Sequence, residues 1–330
     1  MGMLVNGTWQ DKWYDTKSSG GRFVRQDAAF RNWVTADGSA GPTGEPGFKA
    51  EAGRYHLYVS LACPWAHRTL ILRSLKKLDD KISLTIVDPL MLEEGWTITG
   101  NFPGTLPDRV NSKTRMYEIY ALAKSDYTGR VTVPVLWDKK QNTIVSNESA
   151  DIIRMLNTAF NALDGVDTSI NYYPESLRAE IDAVNASVYD RVNNGVYKSG
   201  FATNQTAYEE AVTAVFDELD SLETRLSKQR YLAGSQITEA DWRLFTTLIR
   251  FDAVYHGHFK CNFRRIADYP HLSNYMRELY QVPGVAATVN IAHIKRHYYA
   301  SHRMINPTGI VPLGPVEDFN APHNRATRQF

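Results

Sequence analysis

One stretch, Tyr55 to Val87, restricts the fold of this chain more than any other: a strand runs into a helix and the helix into a second strand. Tyr55 to Ser60 reads as the first strand, and Pro64 to about Leu78 sets Leu70, Ile71, Leu75 and Leu78 on one helical face at three- and four-residue spacing. Ile82 to Val87 alternates again, and a strand reached through a helix lies parallel to the first. Cys63 sits at the strand-to-helix junction of this βαβ unit. A thiol entering a helix meets unpaired backbone N–H groups and the positive end of the dipole, which favour the thiolate. Pro64 suits the first helical position because its missing N–H would have no partner there. A buried, inert cysteine is the plainer reading, but the junction beside Trp65 and His67 favours reactivity. Three residues on stands Ala66, so no Cys-x-x-Cys exists and the thiol must exchange with an external one.

The order continues with a Pro- and Gly-rich insertion over 88–111, a short helix over Lys113–Ala123, a hairpin of Val131–Trp137 with Thr143–Ser146, and a helix bearing Ile152, Ile153 and Leu156. βαβ, helix, ββ, helix is a thioredoxin-like order, assigned to residues 54–157. Residues 1–53 lack periodicity and are expected to form an extended arm, in which Asn6-Gly7-Thr8 reads as an unused glycosylation sequon. A linker over 158–173 leads to an all-α domain, 174–306, with helices at about 174–192, 206–228, 238–254 and 271–280, then an irregular tail, 307–330. The expected fold is an α/β thioredoxin-like domain followed by an all-α domain.

The 37 basic and 36 acidic residues give no charge excess for nucleic acid or an anionic membrane. Two cysteines, Cys63 and Cys261, make no disulfide framework, and no apolar run approaches a membrane span, so a cytoplasmic protein is expected. His293 and His297 lie one helical turn apart with His302 nearby, but no Asp or Glu completes a ligand pattern and no metal is expected. Pro134 opens a strand, where an ordinary trans proline is the default; within a thioredoxin-like order a cis Val133–Pro134 bond is expected. Glu148-Ser149 begins a helix and either caps it or holds the charged ends of a ligand. Tyr197, Tyr255 and Tyr298 serve as packing or as phenol donors.

Together these features resemble a cytosolic glutathione transferase, specifically the glutathionyl-hydroquinone reductases of the Xi class. The marks are Ser60-Leu61-Ala62-Cys63-Pro64-Trp65-Ala66-His67-Arg68, Asn101-Phe102-Pro103-Gly104, Gly129 through Asp138, Ile144 through Ser149, and Asn193-Asn194-Gly195-Val196-Tyr197. The resemblance implies a homodimer with Cys63 as nucleophile and glutathione along Trp96, Arg130, Val131, Thr132, Val133, Glu148 and Ser149. It implies Tyr197 as proton donor or acceptor, Tyr255 and Tyr298 near the thiolate, and Arg130 pairing with a carboxylate. The implied reaction takes a quinone conjugate and glutathione through a Cys63–glutathione mixed disulfide, resolved by a second glutathione. An omega-like thiol transferase or dehydroascorbate reductase would use the same cysteine, and a non-catalytic docking domain would need none of these contacts.

Overall fold

The computed structural model describes residues 2–330, which divide into two compact units. Unit 1 comprises residues 2–13, Gln26–Asn171 and Thr288–His297; unit 2 comprises Tyr14–Arg25, Tyr172–Ala287 and Tyr298–Phe330. Neither is a continuous stretch of chain, so contact and sequence order divide the molecule differently.

Unit 1 is built on a mixed four-stranded sheet. β3 (Tyr55–Val59) pairs in parallel with β4 (Ser83–Ile86) and antiparallel with β8 (Val135–Asp138), which pairs antiparallel with β9 (Thr143–Ser146). Every residue of β3 is buried, as expected of a central strand covered on both faces. Burying its Leu57 and Val59 contributes about 1.5–3 kcal/mol each. α1 (Pro64–Leu75) and α3 (Ser149–Thr158) pack together, and α2 (Met116–Ala123) meets β9.

Three local features depart from the sequence reading. α1 stops at Leu75 rather than Leu78, because Lys77 takes φ +53° and the N–H groups of Lys77 and Leu78 turn back to the carbonyls of Ser74 and Arg73. That is a left-handed helix stop, made here without the usual glycine. The insertion over 88–111 holds a small hairpin, β5 (Met91–Leu92) with β6 (Gly95–Trp96). The arm is not merely extended: β1 (Met3–Val5) and β2 (Thr8–Gln10) form a hairpin that joins β7 (Gly129–Arg130) in a three-stranded sheet. Its turn is Asn6-Gly7 with φ of +47° and +74°, the left-handed pair that a two-residue hairpin loop demands.

Unit 2 is helical: α4 (Arg178–Ser187), α5 (Gly195–Gly200), α6 (Gln205–Lys228), α7 (Glu239–Arg250) and α8 (Pro270–Tyr280), with the end of α9 (Ile291–Ser301). α7 starts where Asp241 accepts from both the backbone N–H and the hydroxyl of Thr238, at 2.7 and 3.0 Å. Two π-helical turns, Val188–Asn193 and Phe251–Tyr255, extend α4 and α7, with the N–H groups of Asn194 and His256 reaching back five residues.

Candidate active site

Cys63 is the N-cap of α1, with extended φ −78° and ψ 122°, and its carbonyl accepts the first helical bond from the His67 N–H at 3.0 Å. Pro64 occupies the first helical position. The residue is partly exposed, and its sulfur donates to the Val133 carbonyl at 3.5 Å. The Val133–Pro134 peptide is cis. Thus β3, α1 and the entry to β8 converge on one thiol. The side chain of Arg68 is fully buried, lies 4.5 Å over the Trp65 ring and donates to the Ser149 hydroxyl at 3.3 Å.

Glu148 is the N-cap of α3, its carboxylate accepting from the Ala150 N–H at 2.9 Å and from the Ser149 hydroxyl at 3.5 Å. Thr132 is held by Tyr120, whose phenol donates to the Thr132 carbonyl at 3.0 Å and accepts from its N–H at 3.3 Å. The same phenol accepts from Asn147 Nδ2 at 3.0 Å. Tyr120 and Arg68 therefore tie the 130–133 segment and the start of α3 to their neighbours, and sequence reasoning gave neither a role. The signal for Arg68 was its place in the cysteine motif; Tyr120 had none beyond an aromatic in a helical pattern. Val131 and Val133 are buried. Arg130 is also buried, and its guanidinium donates to the carbonyls of Lys12 and Trp13, the latter at 3.0 Å. Trp96 is buried in β6 and stacks on His297 of α9, ring centroids 4.7 Å apart.

The second group of expected residues belongs to unit 2. The phenols of Tyr197 and Tyr298 lie 2.5 Å apart, and Tyr255 bonds to Tyr298 at 3.1 Å. Burial, with its two phenol neighbours, pushes Tyr298 well above the usual tyrosine range, so it stays a protonated donor. The guanidinium carbon of Arg25 lies 4.9 Å over the Tyr197 ring and its Nε donates to Asn194 at 2.7 Å. A short α5 between the π turn and α6 carries Tyr197.

The three histidines go to separate partners: His293 Nε2 to the Pro103 carbonyl at 2.7 Å, His297 Nδ1 to the Pro89 carbonyl at 3.0 Å, and His302 Nδ1 to His258 Nε2 at 3.2 Å. Among the described residues no group of three His, Cys, Asp or Glu side chains is arranged for a metal ion, and no helix is long and apolar enough to cross a membrane.

Within unit 1, a thiol at one helix entry and a carboxylate and hydroxyl at a second helix start are groups suited to thiol exchange with a peptide-like ligand, while unit 2 holds its own cluster of hydrogen-bonded phenols. The chain matches the family model described as Glutathione S-transferase, N-terminal domain over residues 62–159, and that described as Glutathione S-transferase, C-terminal domain over 205–278. It is 58% identical to the glutathionyl-hydroquinone reductase YqjG of Escherichia coli (strain K12), over 99% of both chains. It is 53% identical to the glutathionyl-hydroquinone reductase PcpF of Sphingobium chlorophenolicum, over 96% of this chain and 97% of that one. The glutathione-bound structure of YqjG superimposes with a TM-score of 0.92, covering 99% of this chain and 100% of that chain. A Xi-class transferase from Natrialba magadii does so with 0.90 at 46% identity, over 99% of this chain and 97% of its own.

Proposed function

This chain belongs to the glutathionyl-hydroquinone reductases, the Xi class of the glutathione transferases, and from that membership we propose that it reduces glutathionyl-hydroquinones to hydroquinones through Cys63, with glutathione as co-substrate. The observation that carries the reading is the sulfur at the α1 N-cap against the Val133 carbonyl, with Ala66 where a resolving cysteine would stand.

The Cys63 thiolate attacks the sulfur of the conjugate's glutathionyl group. A Cys63–glutathione disulfide forms, the bond from sulfur to the ring carbon breaks, and its electron pair goes to that carbon, which takes a proton. Tyr197, hydrogen-bonded to Tyr298, serves that proton transfer, and Tyr255 completes the phenol set. A second glutathione, as thiolate, then attacks the glutathionyl sulfur of the disulfide; glutathione disulfide leaves and Cys63 returns as thiolate. The proton lost by that second thiol balances the one gained by the ring. Trp96 covers the tripeptide, Arg130 to Val133 line it, and Glu148 with Ser149 takes its charged end, the carboxylate accepting from an ammonium. Reliance on reduced glutathione for the closing step suits the cytoplasm, and a homodimer belongs to the same reading.

The test is mass spectrometry of the protein after one turnover with a glutathionyl-hydroquinone and no free glutathione. One glutathionyl group is expected on the peptide bearing Cys63, none in Cys63→Ala, and no reduction by that variant. Hydroquinone formed while residue 63 stays unmodified would overturn the mechanism, and faster turnover of dehydroascorbate than of the conjugate would point to a thiol transferase instead.

A further inference from the structure

Two features of the sequence remain outside this chemistry: the Asn101-Phe102-Pro103-Gly104 motif and the histidines of α9. The structure brings them together within unit 1. Phe102 to Thr105 is a tight turn closed by the Thr105 N–H on the Phe102 carbonyl at 3.1 Å, with Pro103 second and Gly104 third at φ +87°, the type II pattern. A Cβ on Gly104 would come within 3.3 Å of His293 Nε2 and Asn290 Nδ2, so glycine serves both the turn and the close approach. The turn presents the Pro103 carbonyl to His293. One helical turn further on, His297 donates from Nδ1 to the Pro89 carbonyl and lies flat against Trp96, with 21° between the rings. Both histidines are more than nine-tenths buried. Asn290 caps the helix end that carries them, its side chain accepting from the His293 N–H at 2.9 Å.

Near Pro89 the same loop is closed by Asp88, which accepts from the Thr97 hydroxyl at 2.7 Å and the Thr99 N–H at 3.0 Å. Trp96 thus stands on a short hairpin with three supports: Asp88 across its base, the His297 ring against its face, and the α9 histidines on the loop carbonyls at both shoulders. A two-residue strand cannot hold an indole by its own ladder.

We propose that His297 is a positioning residue for the glutathionyl group, setting Trp96 through ring stacking and the Nδ1–H bond to Pro89, with His293 steadying the other shoulder through Pro103. This rests on the reading of Trp96 as a glutathione contact. The residue acts on binding and leaves the Cys63 chemistry alone.

The experiment is steady-state kinetics on the conjugate, with KM and kcat separated, for Trp96→Ala, His297→Leu, their double variant, and amide replacements at both histidines. Trp96→Ala and His297→Leu should each raise KM about tenfold with kcat little changed, the pattern of lost uniform binding, and the double variant should be no worse than Trp96→Ala. An Asn amide nitrogen reproduces the His Nδ1 position and a Gln amide the Nε2 position. His297→Asn should therefore restore KM toward the wild type where His297→Gln does not, and at residue 293 the order should reverse. That crossover is independent of the Leu variant's folding. If Trp96→Ala raises KM while His297→Leu, His297→Gln and His297→Asn all retain the wild-type value, the positioning role is wrong and the Trp96 reading stands. If Trp96→Ala leaves KM unchanged, the Trp96 reading falls and the proposal with it.

Discussion

The two cysteines show how far one residue type is divided by its surroundings. Cys63 is partly exposed at a helix entry, whereas Cys261 is fully buried and its thiol is pushed up to about 12 by desolvation. Cys261 therefore remains a thiol at any pH the fold tolerates, and a thiol reagent applied to the native protein should titrate one group, rising to two in denaturant. Two native thiols reacting at equal rates would contradict the burial. The position of Cys63 was legible because a strand pattern, a proline and a helix pattern bracket it in fourteen residues. The contact of Arg130 with the arm was not: its guanidinium donates to carbonyls of Lys12 and Trp13, more than a hundred residues away in sequence. No local pattern announces such a pairing.

At the scale of elements, the βαβ unit, the β8–β9 hairpin and α3 were readable because periodicity and connection rules act over short stretches. The arm hairpin is equally local, but Asn6-Gly7 falls within a sequon as well as being the strongest two-residue turn signal, and the flanking residues show no strand periodicity to choose between the two. The π turns in unit 2 leave no clear trace, since a single wide turn shifts the apolar stripe by only one residue within an otherwise helical spacing. Gly7 makes the arm testable. A Cβ there would lie 1.9 Å from the Ser125 carbonyl oxygen, and the backbone is left-handed, so Gly7→Ala should cost about 1 kcal/mol or more. The expected result is faster proteolytic cutting within residues 2–13 and a lower melting temperature; an unchanged digestion pattern would show that the arm tolerates displacement.

At the scale of the whole molecule, each unit buries a neutral histidine. His56 lies between the hydroxyls of Ser83 and Thr85 at 2.7 and 2.8 Å, and His258 bonds to His302; desolvation holds both down to about 4. The unfolded chain, with histidine near 6.5, takes up these protons first, so stability is whole above that pH and declines as pH falls toward 4. Each site contributes about 3 kcal/mol of that decline. His56→Gln should flatten the fall in melting temperature between pH 7 and 5; an unaltered slope would remove this histidine from the acid response.

His67, in the cysteine motif itself, has a fully buried ring bonded through Nε2 to the Thr288 hydroxyl at 2.7 Å. The piece that receives it, Thr288–His297, is translated only after residues 172–287 have been made. At roughly 5–20 residues per second the ribosome needs on the order of ten seconds to cover that distance. For that interval the nascent thioredoxin-like body lacks the hydroxyl that holds the imidazole beside Cys63 and the ring that lies beneath its tryptophan.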